Sequence, residues 1–107
     1  MAAFSAMAGG LVFRNVSYAK GKKPRHHRIA IRDFVFEPAL VRVSPGDTVT
    51  WTNFDIAPHT ATANDESWYT GLLGQNEARE LIVTDNTTPE YFCRFHPMMK
   101  GKLEQAK

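Results

Sequence analysis

Thr48-Val49-Thr50-Trp51-Thr52-Asn53 alternates polar with apolar side chains over most of its length, and a period of two is the mark of a half-buried β-strand. Short runs of this kind recur along the rest of the chain. Ile29 and Ile31 alternate with Ala30 and Arg32, Val41 and Val43 flank Arg42, and residues 59–63 alternate again. Leu81 and Val83 follow the polar stretch Gln75–Glu80, Glu90–Phe95 is rich in aromatics, and Gly101 precedes a short last strand near Leu103. Phe34 and Phe36 fall in the phase opposite to Ile29 and Ile31, which predicts a bulge near Asp33. Turn chemistry separates the runs at Ser44-Pro45-Gly46-Asp47 and Asp85–Pro89, and Pro38 marks a break or an edge. No window carries a helical period. The expectation is an all-β fold, an antiparallel Greek-key β-sandwich of seven to eight strands.

The chain has 107 residues, enough for one domain and too few for a catalytic domain beside a cofactor domain. No apolar run approaches the roughly 20 residues of a membrane-spanning helix. A single cysteine, Cys93, rules out an internal disulfide framework and multi-cysteine zinc or iron–sulfur patterns. Charge is split unevenly. Residues 1–28 hold six basic side chains and no acid, leaving seven basic and eleven acidic residues for the remainder. A nucleic-acid domain would spread its basic residues through the folded part, and this chain does not. The division predicts an N-terminal extension over 1–28 and a folded domain over 29–107. In the extension, Met1–Ala8 ends in a signal-like Ala6-Met7-Ala8, Gly9–Tyr18 is a candidate extended segment, and Lys20–Arg28 reads as a solvated basic linker. The competing reading of that linker is a steering element for an acidic partner, acting over a range that salt screens.

The chemistry concentrates in Cys93-Arg94-Phe95-His96-Pro97-Met98-Met99, which sets a thiol, an imidazole and thioethers within seven residues. His59 lies in the turn-rich Ala57-Pro58-His59-Thr60, and loops at one end of a sandwich gather residues distant in sequence. A thiolate, two imidazoles and a weak axial thioether form a ligand set suited to copper. Zinc structural sites normally lack a thioether. Each residue also has a plainer role: a buried cysteine packs as a small hydrophobe, the histidines sit on the surface, and the methionines fill core. A cysteine hydrolase built on Cys93 and His96 lacks an evident oxyanion loop or orienting acid.

The segments Pro45-Gly46-Asp47-Thr48-Val49-Thr50-Trp51, Pro58-His59-Thr60, Tyr91-Phe92-Cys93 and His96-Pro97 with Met99 and Gly101 resemble the small blue copper proteins of the cupredoxin family, in its amicyanin and plastocyanin branch. The resemblance covers residues 29–104. It implies His59, Cys93, His96 and Met99 as ligands of one type 1 copper ion, with Met99 preferred to Met98 by the family's spacing. The basic extension and the pair Arg94-Phe95 depart from the family pattern. The resemblance further implies an electron carrier, not an enzyme, residing in the bacterial periplasm as a monomer or weak oligomer. Its redox partners, a dehydrogenase, reductase or cytochrome, would dock on an apolar patch at Pro58, Pro97 and Met98, and the electron would leave through the edge of His96. A copper chaperone or storage protein is the alternative. Phe36, Phe95 and Met98 are expected to keep the site dry, with Trp51 in the core.

Overall fold

The computed structural model describes residues 23–106, so the expectations for residues 1–22 lie outside it. Among the described residues eight strands follow in order: β1 His26–Arg32, β2 Val35–Glu37, β3 Leu40–Val43, β4 Thr48–Asn53, β5 Thr62–Ala63, β6 Ala78–Ile82, β7 Glu90–Cys93 and β8 His96–Gln105. They form two four-stranded sheets, ordered β2-β1-β4-β6 and β3-β8-β7-β5. The fold is an all-β sandwich. It is mixed where an antiparallel one was expected: β1 runs parallel to β4, and β3 parallel to β8. Parallel neighbours need a connection longer than a hairpin. Here the chain leaves the first sheet after β2, builds β3 in the second, and returns as β4.

Period-two burial follows the predicted phase in the central strand. Val49, Trp51 and Asn53 are buried while Thr48, Thr50 and Thr52 are half-buried. Ile29 and Ile31 of β1, Tyr91 and Cys93 of β7, and Met99 and Leu103 of β8 join the same core. Aromatic rings bridge the two sheets there. Trp51 meets Tyr91 edge-on at 5.4 Å between centroids, and Trp68 lies 5.3 Å from Trp51. A Cβ at Gly101 would overlap the Tyr91 phenol, so only glycine lets β8 pass behind that ring. Truncating an aromatic of this kind costs about 3–5 kcal/mol.

Four further expectations need correction. The phase change near Asp33 is a two-residue hairpin turn, Asp33-Phe34, closed by the Arg32–Val35 pair, because reversing the strand also resets which residues face inward. Residues 59–63 are all buried, since Leu73 and Tyr69 bridge to His59 and Thr62 and cover their second side. The last strand has ten residues and begins at His96, because β7 and β3 pair with it on both sides. Finally, His26, His27 and Arg28, assigned from sequence to the linker, open β1. The reason lies at Asp47, buried in the turn before β4. Its carboxylate accepts the Arg25 and Ser44 backbone N–H groups at 2.8 and 3.0 Å and meets His27 Nε2 at 2.8 Å. The end of the basic run is thereby tied to the domain. Burial pushes the Asp47 carboxyl up, but the Arg25 N–H, the His27 ring and the Ser44 N–H outweigh it and hold it below the usual carboxylate range.

Candidate metal centre

Cys93 ends β7, and the two-residue turn Arg94-Phe95 leads directly into β8, so Cys93 and His96 face each other across the strand pair. The register shifts between Phe92 and Cys93; such a bulge re-aims the side chain that follows it. His59 arrives from the loop after β4, held to Leu73 by backbone hydrogen bonds in both directions at 2.8 and 3.1 Å. Asn53, buried at the end of β4, shapes that loop: its side-chain amide donates to the Ala57 and Leu73 carbonyls, both at 2.9 Å, and its oxygen accepts the Asp55 N–H at 2.9 Å.

These elements bring three of the predicted residues together. Cys93 Sγ lies 3.6 Å from His59 Nδ1 and 3.7 Å from His96 Nδ1, and one donor atom from each residue falls within 4.8 Å of the others. His59 and Cys93 are fully buried; His96 is half-buried. With metal–nitrogen and metal–sulfur bonds of about 2.0 and 2.3 Å, a trigonal angle separates nitrogen from sulfur by about 3.7 Å. The donors fit one soft metal ion in that geometry. Met99 is buried on β8 and lines a hollow of about 480 Å³ with Phe34, Phe95, His96, Pro97 and Met98. Its neighbour Met98 is 91% exposed.

Contacts around the three donors fix their orientation. The Thr60 N–H points at Cys93 Sγ from 3.4 Å, and Thr60 Oγ1 accepts the Arg94 N–H at 2.9 Å, linking the His59 loop to the cysteine turn. Asp55 Oδ2 meets His59 Nε2 at 2.8 Å, which leaves Nδ1 to face the sulfur. The same carboxylate accepts the Asp33 and Phe34 N–H groups at 2.8 and 2.9 Å. Burial pushes the Asp55 carboxyl up, but the Phe34 and Asp33 N–H groups and the His59 ring outweigh it and hold the group below the usual carboxylate range.

The ring over the site is Phe34, which sequence reading placed in a strand. It packs edge-on against both imidazoles, 4.9 Å from His59 and 4.8 Å from His96. The residues expected to keep the site dry behave otherwise. Phe36 is buried against Tyr91, while Phe95 and Met98 are largely exposed. Asp55, Thr60 and Phe34 were missed because a carboxylate four residues before a histidine, a threonine and a phenylalanine beside a turn carry no signal without the loop geometry.

A sequence profile described as "Copper binding proteins, plastocyanin/azurin family" matches residues 25–105. The chain is 31% identical to amicyanin of Paracoccus denitrificans over 85 residues, covering 70% of this chain and 61% of that protein's length. It is 28% identical to amicyanin-alpha of Methylorubrum extorquens over 108 residues, 96% of this chain and 90% of that one. Among solved structures, amicyanin of Paracoccus versutus superposes with a TM-score of 0.65 at 25% identity, over 75% of this chain and 80% of the other. The purple cupredoxin of Nitrosopumilus maritimus, 23% identical, shares the fold at a TM-score of 0.69 over 75% of this chain and 99% of that one. Because the profile runs through all eight strands and across the paired sulfur and imidazole donors, the chain belongs to the plastocyanin/azurin family of copper-binding proteins, with copper as its cofactor.

Proposed function

We propose that the protein is a type 1 copper electron carrier, with His59 Nδ1, Cys93 Sγ, His96 Nδ1 and the Met99 thioether as its ligands. The observation that carries this reading is the pair of sulfur–nitrogen separations, 3.6 and 3.7 Å, both close to the trigonal value. Copper, when bound, supplies a one-electron couple between Cu(I) and Cu(II). The protein's own residues keep the ligands still as charge changes. Asp55 holds the His59 ring, Thr60 holds the sulfur, and both His59 and Cys93 are fully buried against the sandwich. Burial of Met99 beside an exposed Met98 supports Met99 as the axial ligand.

The electron leaves through His96, the donor residue with surface exposure, into the hollow beside it. Exposed Pro58, Pro97 and Met98 supply the apolar docking surface; small dry patches suit brief redox encounters. Met98→Lys or Pro58→Glu should slow reaction with the partner while the copper spectrum stays intact, and unchanged kinetics in both would remove this surface from the account. Residence in the bacterial periplasm belongs to the same reading and is checked by cell fractionation.

The deciding measurement is the visible and paramagnetic-resonance spectrum of the copper-loaded protein against Cys93→Ser. The parent should carry an intense thiolate-to-copper band that the variant lacks. A reversible one-electron couple without copper loss supports the carrier, whereas ready transfer of copper to an acceptor protein supports the chaperone. Full burial of His59 and Cys93 favours the carrier.

A further inference from the structure

The turn joining β1 to β2 holds both central residues in the left-handed region, Asp33 at φ 55° and Phe34 at φ 62°. Two-residue hairpin turns of this hand favour Asn, Asp and Gly. A phenylalanine there crowds its own β-carbon against the backbone, which makes it an outlier needing a reason. Core packing is not the reason, since Phe34 is 47% exposed. Its gain lies outside the hairpin, in the edge-on contacts with His59 and His96, both at 86° between planes. The turn is also braced from the site. Asp55 Oδ2 accepts the Phe34 N–H and meets His59 Nε2, so one atom references both the turn and the imidazole. Strained residues persist where the surroundings over-determine them, and they concentrate at functional positions.

We propose that Phe34 is a positioning residue of the copper site: braced in a strained turn by Asp55, it clamps the His59 and His96 rings edge-on and walls one side of the hollow beside His96. This rests on the reading of the two histidines as ligands. A T-shaped contact is lost when the imidazole turns about its own bond, so the clamp opposes ring rotation and ligand loss. His96 depends on it more than His59, because the latter has Asp55 as a second restraint.

The test uses the full chain with Phe34→Gly and Phe34→Leu. Glycine accepts the turn without strain, so the metal-free Phe34→Gly protein should melt no lower than the parent. Its His96 ring signals in nuclear magnetic resonance should broaden, and copper should pass to an excess of a Cu(I) chelator about 10- to 100-fold faster, the usual scale for losing an outer support of a metal ligand. Phe34→Leu keeps a side chain in the strained turn without the aromatic edge, and should release copper nearly as fast as Phe34→Gly. Unchanged ring signals and release rates in Phe34→Gly would overturn the proposal, as would a lower melting temperature with an unaltered site. Should the parent itself show no thiolate-to-copper band, the copper reading fails. The ring signals of the metal-free proteins still decide whether Phe34 clamps the histidines.

Discussion

Two aspartates flank β4 and do the same work at opposite ends of β1. Asp47 accepts two backbone N–H groups and meets the Nε2 of His27; Asp55 accepts two backbone N–H groups and meets the Nε2 of His59. Because β1 and β4 are parallel neighbours, each carboxylate spans from one end of β4 to the matching end of β1. The difference lies in what surrounds the imidazole. The Asp47 clamp fastens the entry of the chain into the sheet. At the Asp55 end, His59 presents Nδ1 to a cysteine sulfur and a second imidazole. There the clamped backbone is also left-handed, at roughly 1–2 kcal/mol per residue, which two charge-assisted hydrogen bonds of about 1.5–3 kcal/mol each offset. One device serves as a fastener at one end and as a mount for chemistry at the other.

The largest contrast should come from the histidines. His59→Ala is expected to abolish the thiolate-to-copper absorption, whereas His27→Ala should keep it and lose only about 1 kcal/mol of stability, the scale of one hydrogen bond. Parallel copper titrations followed by absorbance and by urea unfolding read both. A large spectral change in His27→Ala would break the distinction between the two ends.

Next come the carboxylates. Asp47→Ala and Asp55→Ala should each destabilise the metal-free protein by roughly 2–4 kcal/mol, because each strands two backbone donors. Only Asp55→Ala should also alter the paramagnetic-resonance spectrum of the copper-loaded form. If the two variants give the same spectrum, the Asp55 clamp is a fastener and nothing more.

The smallest effect is the acid limb. Both carboxyls are held below the usual range in the folded state, so their contribution is present above an unfolded value of about 3.9 and fades as pH falls through the lowered folded values. Stability of the metal-free protein should therefore drop with acid below about pH 4. Asp47→Asn should flatten that drop. A parent curve that shows no acid loss would remove the ionic component from both clamps.

Strand content and the candidate donors His59, Cys93 and His96, which the fold gathers, were open to reading along the chain. Period two in Thr48–Asn53 reported β4 because side chains alternate faces whatever the neighbouring strand is, and the tight Cys93-x-x-His96 spacing reported a shared turn because both residues are local to it. The parallel pairing, the hairpin at Asp33-Phe34 and the entry of His26–Arg28 into β1 were not legible. Each depends on a partner elsewhere in the chain, Asp47 or Asp55 above all.

What the linear order of residues determined by itself is therefore the all-β class, the core face of β1 and β4 and the set of metal-capable side chains, since all three follow from local periodicity and chemical type. Only the folded structure decided which methionine faces inward, which ring covers the histidines, and which carboxylate orients His59. Those outcomes hang on the approach of β1, β4, β7 and β8 at one end of the sandwich, and contacts between segments so far apart in sequence leave no periodic trace in it.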